Sequence, residues 1–474
     1  MVNIFILQHR DKDLWIRKGE ALNRTGTMKS SHYNLFIPQA DGGVLAYNCL
    51  RGGFGKISRE EYETYQAIEN NRGSVESGGN PVQLKRIEEL KKGGFIVEDN
   101  FDEFGFITAT YYLSKFNSRD LSLVIAPTLD CNFQCSYCFE VGTHEYMSKE
   151  TQEAIVHYVE TQIVHLDSLR VTWFGGEPTL ALDTVFRLSK KLMEIASREQ
   201  VVFAFSMISN GYLLDKKVAV ELKGCGISNV QITIDGPPEV HNKRRPLKGG
   251  GGTFDTILHH LLDISDIFGE GIFIRVNIDS NNLKTFSALL DVFEDKKVPK
   301  SIGIDVAQVH PWTPACQSVA DCSLSTPEYA RLLVDTQYLL FNRGFRAYRF
   351  PAPILANCHA VTSKSLTIAP NGDLFKCGNT IGVSKECFGN ILRPTKLSHN
   401  EIKWLAWNPL SKGCCRRCKI LPICMGGCAY IDVVAEHYVH PSNRCSPWKY
   451  NLKDILSLTY EQRKLGGKRC TEHP

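Results

Sequence analysis

The sequence has no long apolar run and no strong excess of charge of either sign. No stretch approaches the roughly 20 apolar residues that a membrane-spanning helix needs, and the 474 residues carry a net charge of only +4. Charged residues at positions 10–13 interrupt the apolar start, so a secretion signal is not predicted. These absences argue against a membrane protein, give no reason to expect a nucleic-acid partner, and leave the cytoplasm as the expected compartment.

Cysteine, by contrast, is abundant, since the chain has 17 of them. In a reducing compartment cysteines are rarely joined as disulfides, so metal binding or catalysis is the better expectation. Three lie within residues 131–138, and nine lie between 358 and 445. Two cysteine-rich segments are therefore expected to carry the chemistry.

The chain is predicted to be an α/β protein in several parts. Residues 1–30 are a weakly patterned extension, and residues 31–117 predict a small winged-helix-like α+β domain, with strands at 32–38, 43–50 and 95–99 and helices starting near Ser58 and Pro81. Residues 118–310 alternate apolar strands with helices, which predicts parallel βα units. The six strands are expected at 121–127, 169–174, 201–207, 229–234, 271–278 and 302–309.

Such βα units form either an open parallel sheet or a barrel, and six strands fall short of the eight in a closed barrel. The expected fold is a partial (β/α)6 TIM-type barrel. Residues 311–349 would link it to residues 350–474, where periodicity fades and cysteine, glycine and proline dominate. That last part is expected to be organised around metal rather than around a large apolar core.

The segment CNFQCSYC places three cysteines just after the first predicted barrel strand. A structural zinc site normally takes four protein ligands, whereas a [4Fe–4S] cluster held by three thiolates leaves one iron open. Parallel α/β folds place their chemistry at the carboxyl ends of the strands, where this loop begins. A zinc knuckle, or three thiols buried by chance, is the alternative.

CNFQCSYC resembles the CxxxCxΦC signature of radical S-adenosylmethionine (radical SAM) enzymes, with Tyr137 as the aromatic residue Φ. The resemblance implies a [4Fe–4S] cluster on Cys131, Cys135 and Cys138, with SAM bound to the open iron. In that family one electron from the cluster splits SAM and yields a 5′-deoxyadenosyl radical, which abstracts hydrogen from the substrate.

Three further segments resemble motifs of the same family at successive strand ends: FGGEP at 174–178, ISNGYL at 208–213 and ITIDGP at 232–237. The resemblance implies that they contact SAM or line the same mouth, through Gly175, Gly176, Glu177, Ser209, Asn210, Thr233 and Asp235. Turn formation and helix capping are the alternatives for these residue types.

Two arginine-bearing segments complete the resemblance. EVHNKRRP at 239–246 resembles the family's HDxxRP segment, and Arg245 or Arg244 could pair with a carboxylate. Arg275 and Asn277 lie two apart on the fifth strand and so share one face. Arg275 would suit the SAM carboxylate as a bidentate partner, and a structural ion pair inside the barrel is the alternative.

The C-terminal cysteines resemble the SPASM extension of radical SAM enzymes, which implies two auxiliary [4Fe–4S] clusters and three clusters in all. The first auxiliary cluster would take Cys358, Cys377 and Cys428, and the second would take Cys415, Cys418, Cys424 and Cys445. The first is one thiolate short, so either Cys387 completes it or the position is open for substrate. Cys316 and Cys322 are further candidates, and a zinc hairpin is the alternative for the CRRC segment alone.

An N-terminal domain ahead of such a core resembles the precursor-recognition element of maturases of ribosomally made peptides, which binds a leader peptide as an added strand. The expected function is therefore peptide maturation of the sactipeptide or ranthipeptide type, with cysteine thioether crosslinks, a precursor peptide as partner and a flavodoxin or ferredoxin as reductant. The alternatives are carbon–carbon or ether crosslinking, anaerobic sulfatase maturation to formylglycine, and a non-enzymatic iron–sulfur or zinc scaffold. The N-terminal domain could also serve only to stabilise the protein.

Overall fold

The computed structural model describes residues 27–70, 81–140, 142–347, 350–354, 358–393, 396–434 and 441–465. Most of the predicted N-terminal extension, part of the predicted linker and Cys470 lie outside these residues. Of the helices in the described ranges, none is both long enough and apolar enough to cross a membrane.

An α+β unit precedes the central sheet. Its strands are β1 (Met28–Ser30), β2 (Asn34–Pro38), β3 (Val44–Asn48), β4 (Phe54–Ile57) and β5 (Ile96–Glu98), and its helices are α1 (Arg59–Asn70), α2 (Pro81–Lys92) and α3 (Glu103–Lys115). Strands β2, β3 and β4 form an antiparallel sheet with β3 in the middle, and β1 pairs with β5 separately. The strands and helices predicted between residues 32 and 99 are present, and β1, β4 and α3 are additional.

Local sequence sets the ends of these helices. Ser58 Oγ accepts the N–H of Glu61 at 3.2 Å, and the Glu61 carboxylate accepts the N–H of Ser58 at 2.6 Å, which is a capping box for α1. Helix α3 begins after Asp102, whose carboxylate accepts the N–H of Gly105 at 2.9 Å. The aromatic and β-branched residues of α3 favour a strand in isolation, so no helix was predicted there.

The centre of the molecule is a sheet that contains the six predicted parallel strands side by side in chain order. They are β6 (Asp120–Ile125), β7 (Ser168–Trp173), β8 (Val202–Ser209), β9 (Ile227–Thr233), β10 (Ile272–Ile278) and β11 (Gly303–Gln308). The helices between them are α4 (Lys149–Ile163), α5 (Leu182–Arg198), α6 (Lys216–Gly224), α7 (Pro238–Arg244), α8 (Phe254–Phe268) and α9 (Phe286–Asp295). The prediction of six parallel strands is confirmed, and their carboxyl ends meet at one edge.

Strands from later in the chain extend this sheet at both sides. Strand β12 (Arg346–Ala347) runs parallel to β11, and β13 (Ser365–Ile368) runs parallel to β6. Strands β14 (Asp373–Phe375) and β15 (Gly389–Asn390) follow β13 in antiparallel order, which makes ten strands in total. Residues 365–390, expected from sequence to be organised by metal, therefore continue the central sheet.

The remaining helices cover the C-terminal part: α10 (Thr326–Asn342), α11 (His399–Ala406), α12 (Gly413–Arg416), α13 (Leu421–Cys424), α14 (Ala429–Val433) and α15 (Trp448–Leu465). A buried apolar cluster that includes Tyr47 and Tyr111 also includes Leu410 and Leu456, so it joins the N-terminal unit to this part. Tyr111 Oη donates to the carbonyl oxygen of Trp407 at 3.0 Å. The N-terminal unit thus shares a core with the C-terminal part.

Candidate functional site

The three-cysteine loop leaves the carboxyl end of β6 and is held by the segment that follows α7. The N–H of Gln134 donates to the carbonyl oxygen of Pro246 at 2.9 Å, and the N–H of Ser136 donates to that of Arg244 at 3.1 Å. These bonds bring the loop and the end of the βα unit formed by β9 and α7 together, although they are more than 100 residues apart in sequence.

Asp130 fixes the start of the loop. One carboxylate oxygen accepts the N–H of Cys131 and the Nζ of Lys248, each at 2.8 Å. Burial alone would raise the pKa of this carboxyl, but hydrogen bonds from Lys248 and His144 outweigh it and lower the pKa to about 2. Asp130 is therefore charged at neutral pH and orients the first cysteine.

The thiols of Cys131, Cys135 and Cys138 lie within electrostatic reach of one another. Burial raises the pKa of the Cys135 thiol, and it raises that of the Cys131 thiol to about 12. Without a metal these thiols are therefore protonated at neutral pH, and loading a metal must release their protons. Thiolates are soft ligands of the kind that hold iron–sulfur clusters.

The two glycines after β7 press against the start of this loop. Gly175 has φ of +108°, which favours glycine, and a Cβ there would lie 2.4 Å from the carbonyl oxygen of Thr128. The N–H of Gly176 donates to Thr128 O at 3.2 Å, and the N–H of Glu177 donates to Asp130 O at 2.8 Å. The turn and the cysteine loop therefore form one backbone-packed unit.

The carboxylate of Glu177 is fully buried and joins the ends of β7 and β8. It accepts hydrogen bonds from Thr179 N at 3.0 Å and Oγ1 at 2.6 Å, from Ser209 Oγ at 2.8 Å and from Asn210 N at 2.7 Å. Burial raises the pKa of this carboxyl, and the hydrogen bonds oppose that shift. The oxygens of Glu177 thus accept hydrogen bonds from groups of the chain itself. A contact of Glu177 with SAM stays a prediction.

Asn210 reaches from the end of β8 to the cysteine loop. Its Nδ2 donates to Asn132 Oδ1 at 2.7 Å and lies 4.0 Å from the sulfur of Cys131. Among the residues predicted to contact SAM, Asn210 thus stands directly beside a predicted iron ligand.

Tyr137 joins the loop to the ends of β9 and β10. Its hydroxyl donates to the carboxylate of Asp235 and accepts from Arg245 Nη1 at 2.6 Å and from Asn277 Nδ2 at 3.1 Å. The other Asp235 oxygen accepts the N–H of Asn277 at 2.9 Å. Thr233, the last residue of β9, is buried two residues before this carboxylate. The aromatic position of the motif is therefore the centre of a hydrogen-bond network.

Arg245 is buried, with 7% of its surface exposed. Its Nη1 contacts Tyr137, but its Nε has no hydrogen-bond partner, and it forms no ion pair with a carboxylate of the described residues. The Cys135 thiol lies within its electrostatic reach. A buried guanidinium with spare donors fits an anionic ligand, because an unpaired buried charge is costly.

The two other arginines at this edge are already paired. Arg244 Nη1 donates to Asp279 Oδ2 at 2.7 Å, and Arg275 Nη1 pairs with Asp305 Oδ2 at 2.9 Å. For Arg275 this is the internal ion pair that the sequence left open as an alternative. A contact of Arg275 with a SAM carboxylate stays a prediction.

Two buried groups near the loop were not singled out from the sequence. The Oε2 of Glu140 is buried without a partner among the described residues, and burial, with Glu177 nearby, raises the pKa of its carboxyl to about 8. His241 is fully buried, and its Nδ1 accepts the N–H of Asp235 at 3.2 Å. An acidic residue two places after Cys138 was the only sequence signal for Glu140, and its burial depends on tertiary packing.

In the second cysteine field, Cys358, Cys377 and Cys428 lie within electrostatic reach of one another, and burial raises the pKa of each thiol. Cys316 is buried in the same apolar cluster. Burial raises the pKa of the Tyr430 hydroxyl, and the nearby thiols of Cys377, Cys316 and Cys428 raise it further.

Cys387 lies elsewhere. It packs against a different apolar cluster, beside Phe375 and Ile381, and its sulfur donates to the carbonyl oxygen of Gly389 at 3.1 Å. The structure therefore groups Cys316, rather than Cys387, with the three-thiol set. Whether either one is a ligand stays a prediction.

The third set comprises four thiols in the segment from α12 to the start of α15: Cys415, Cys418, Cys424 and Cys445. Lys449 Nζ lies 3.6 Å from the sulfur of Cys445. Cys414 is exposed and lies beside Cys415. Across the described part of the chain, no three His, Cys, Asp or Glu side chains are close enough to hold a single metal ion.

Residues 125–292 match the model of the Radical SAM superfamily. This stretch starts at the last residue of β6 and ends within α9, so it contains the cysteine loop and the motifs at the ends of β7 to β10.

Two curated proteins show how far the similarity extends. The Fe-coproporphyrin III synthase of Methanosarcina barkeri is 29% identical over 180 residues, which are 36% of this chain and 41% of that protein. The chain spans about two fifths of the length of the first curated relatives that it matches. The cysteine-type anaerobic sulfatase-maturating enzyme of Clostridium perfringens is 26% identical over 344 residues, which are 63% of this chain and 90% of that protein.

Among solved structures, native anSMEcpe with bound AdoMet aligns with a TM-score of 0.57 and 21% identity, over 73% of this chain and 100% of that one. SuiB of Streptococcus suis bound to precursor peptide SuiA aligns with a TM-score of 0.49 and 16% identity, over 89% and 98%. The alignment with anSMEcpe shows a shared fold.

Proposed function

Because residues 125–292 form a radical SAM domain, we propose that this chain is a peptide-modifying radical SAM enzyme that acts on a ribosomally made precursor. The observation that carries the proposal is the convergence of three thiols at the carboxyl edge of the sheet, within a hydrogen-bond network centred on Tyr137. Cys131, Cys135 and Cys138 would hold a [4Fe–4S] cluster. Bound there, that cluster and SAM would supply reductive formation of a 5′-deoxyadenosyl radical.

The chain's own groups would bind and orient SAM. The spare donors of Arg245 would bind its carboxylate, because this guanidinium is buried and forms no ion pair with a carboxylate in the described part of the chain. Gly175 and Gly176 would let the backbone approach the ligand closely. Asn210 and Asp235 would line the same site. Tyr137 would hold the cysteine loop in place beside them.

The N-terminal unit offers an edge strand for a leader peptide. The N–H of Asn48 donates to the carbonyl oxygen of Gly53 at 2.9 Å, so these residues are a hydrogen-bonded pair. By the alternation of an antiparallel ladder, Gly55 also points its backbone groups at β3, whereas Phe54 and Lys56 point theirs away. No strand of the described residues pairs with that outer edge of β4.

The opposite edge is a poorer template. The outward-facing positions of β2 end at Pro38, which has no N–H to donate. We therefore place the added strand along β4, where main-chain pairing would give affinity and side-chain pockets would give specificity.

The reductant would be an acidic one-electron carrier of the flavodoxin or ferredoxin kind. Residues 402–431 contain five Lys or Arg and no Asp or Glu, and residues 441–453 contain three more and again no acid. This excess surrounds the four-thiol set, although the net charge of the whole chain is only +4. Arg417 and Lys419 are exposed there and complement an acidic carrier.

The two C-terminal thiol sets would hold auxiliary [4Fe–4S] clusters, and the first set decides the chemistry. If Cys358, Cys377 and Cys428 leave one iron open, a substrate thiolate could bind there, which favours a thioether crosslink. If Cys316 or Cys387 fills that position, carbon–carbon or ether crosslinking is equally favoured.

Anaerobic sulfatase maturation is the second candidate. The observation that favours it is the alignment with the Clostridium perfringens sulfatase-maturating enzyme over 90% of that protein. That chemistry oxidises a cysteine or serine to formylglycine and needs no leader peptide, so the two candidates differ in what the N-terminal unit does.

The test uses the full chain, reconstituted with iron and sulfide without oxygen, then reduced and given SAM. We expect about twelve irons per chain for three four-iron clusters, and 5′-deoxyadenosine by mass spectrometry. Alanine at Cys131, Cys135 and Cys138 together should abolish 5′-deoxyadenosine while leaving iron in the other sets. Absence of 5′-deoxyadenosine from the reconstituted wild type would end the proposal.

Candidate peptides then separate the two functions. Loss of a hydrogen pair per crosslink in a cysteine-bearing precursor, with loss of a free thiol, supports thioether formation. Conversion of a short sulfatase-motif peptide to formylglycine, at a rate independent of any leader, supports the second candidate.

A further inference from the structure

Lys376 is a buried lysine next to Cys377, one of the three thiols Cys358, Cys377 and Cys428. Only 1% of its surface is exposed, and it directly precedes Cys377. Its Nζ donates to the carbonyl oxygen of Thr362 at 2.7 Å and to O and Oγ of Ser365 at 2.9 and 3.3 Å. All of these acceptors are neutral.

A second buried lysine stands within electrostatic reach of it. Lys115 is also 1% exposed, and its Nζ donates to the carbonyl oxygen of Trp407 at 2.6 Å and to Tyr111 Oη at 3.2 Å. Its charge acts on Lys376 in the unfavourable direction, because the two groups have the same sign.

No carboxylate in the described part of the chain forms an ion pair with either ammonium. Glu401 is the carboxylate that acts on Lys376, and it does so from beyond ion-pair distance. Burial of an ammonium without a counter-charge close by is costly. A further negative charge beside Lys376 would therefore be stabilising.

The thiols beside Lys376 would provide that charge once they hold iron. The thiol of Cys358 is within electrostatic reach of Lys376, and Cys377 adjoins it in the chain. An iron–sulfur core held by three or four thiolates carries net negative charge, and reduction by one electron makes it more negative. Net charge and hydrogen bonding are what set the potential of such a cluster.

We infer that Lys376 is the counter-charge of the auxiliary cluster on Cys358, Cys377 and Cys428, and that it raises the reduction potential of that cluster. The inference rests on the proposed function in one respect, namely that these thiols hold a cluster. Lys376 is a positioning residue in this account: its positive charge would stabilise the reduced form of a cluster held by these thiols, and Lys376 itself forms no bond to substrate.

The test is a redox titration of the full reconstituted enzyme, followed by electron paramagnetic resonance. In Lys376→Met one cluster should shift to a more negative potential, while the potentials of the other two stay in place. Lys376→Arg keeps the charge and should leave all potentials near those of the wild type. The matched control is Lys364→Met, a half-buried lysine of the same segment whose Nζ donates to Gln162 at 2.5 Å.

The possible outcomes separate this inference from the proposed function. If the wild type forms 5′-deoxyadenosine but its first auxiliary set holds no iron, the inference is overturned and the proposed radical SAM chemistry stands. If the wild type forms no 5′-deoxyadenosine, the proposed function is overturned. If the cluster is present and Lys376→Met leaves every potential unchanged, the inference alone is overturned. An equal shift of the potential in Lys376→Arg and Lys376→Met would show that Lys376 acts through packing rather than through its charge, which also overturns the inference. If Lys376→Met loses the cluster, Lys376→Gln, which keeps a donor and removes the charge, replaces it in the same titration.

Discussion

Gly176 and Asp130 stand in backbone contact, such that a Cβ on Gly176 would lie 2.1 Å from the carbonyl oxygen of Asp130. That carbonyl also accepts the N–H of Glu177 at 2.8 Å, and Asp130 immediately precedes Cys131. The spacing between the turn after β7 and the first cysteine therefore has no room for a side chain. The glycine at position 176 is therefore needed for the shape of the protein itself.

The first prediction follows from this contact. Gly176→Ala should displace the start of the cysteine loop and lower the free energy of unfolding by about 1–3 kcal/mol. It should also lower the iron bound by the loop cysteines and the rate of 5′-deoxyadenosine formation. Gly224→Ala is the control, because a Cβ there meets no atom within 4 Å. The measurements are iron per chain and 5′-deoxyadenosine per minute. Equal behaviour of the two variants would contradict the prediction.

The hydroxyl of Tyr137 gives the second prediction. Tyr137→Phe removes the hydrogen bonds of the Tyr137 hydroxyl with buried Asp235 and Arg245, which costs about 1–3 kcal/mol. It also removes one connection between the loop and the ends of β9 and β10. We expect a lower apparent melting temperature and slower 5′-deoxyadenosine formation. The matched control is Tyr112→Phe, because Tyr112 is 40% exposed and its hydroxyl accepts only from Asn408 at the surface. A Tyr137→Phe variant as active and stable as this control would show that the network is dispensable.

The sequence identified these site residues without showing how they are connected. Cysteine spacing and strand ends are local patterns, so the loop and the positions Glu177 and Asp235 could be placed on the correct edge. The bond between Tyr137 and Asp235 joins residues 98 apart, and the bond between Tyr137 and Asn277 joins residues 140 apart. Such contacts depend on how the βα units pack, which periodicity does not encode.

The fold shows the same limit. The six long apolar strands were predicted because burial on both faces leaves a strong apolar signal. Strand β13 has only four residues and pairs with β6, some 240 positions earlier, so nothing local marks it as part of the sheet. Helix α3 was missed because its packing against the C-terminal part overrides the strand preference of its residues.

The third prediction concerns the edge of β4. Lys56→Pro removes an N–H that faces away from β3, so it should leave the three-stranded sheet intact and prevent an added strand. Lys56→Ala is the control, because it loses the same ion pair with Asp41 and keeps the N–H. We expect the proline variant alone to lose affinity for the leader peptide by calorimetry, with uncoupled 5′-deoxyadenosine formation unchanged. Equal affinity for the leader in both variants would show that the leader does not bind along β4.

Deletion of the N-terminal unit would not test peptide binding. Tyr47 and Tyr111 share a buried cluster with Leu410 and Leu456. Removing them would expose the core beside the four-thiol set, so loss of activity after deletion would carry no information about peptide binding.

The fourth prediction concerns the reductant. Arg417→Glu with Lys419→Glu reverses two exposed charges beside the four-thiol set and should slow turnover driven by a reduced flavodoxin by roughly tenfold at low salt. Turnover driven by dithionite should not change, because a small reductant needs no protein docking. Lys216→Glu with Lys217→Glu, on exposed positions of α6, is the control with the same change in net charge.

Salt provides an independent check on that docking surface. The advantage of the wild type over the double variant should shrink as ionic strength rises, because screening acts over about 8 Å at physiological salt. If the two pairs of substitutions slow flavodoxin-driven turnover equally, net charge rather than this surface is responsible.

The fifth prediction is a pH dependence from Lys115. Burial lowers the pKa of this ammonium to about 8 in the folded protein, whereas an unfolded lysine titrates near about 10.4. Between these values the unfolded chain binds more protons than the folded one, so the contribution of Lys115 to the free energy of unfolding rises with pH and levels off above the unfolded pKa. Below about pH 8 both states are protonated and the contribution is constant.

The measurement is the apparent melting temperature of the wild type and of Lys115→Met between pH 7 and pH 10, taken as a difference so that other titrating groups cancel. The apparent melting temperature of the wild type should rise relative to that of Lys115→Met as pH rises above about 8. Lys149→Met, at an exposed position at the start of α4, should give a difference that does not vary with pH. Parallel curves for wild type and Lys115→Met would mean that Lys115 keeps its proton throughout, as it would if a nearby negative charge offset its burial.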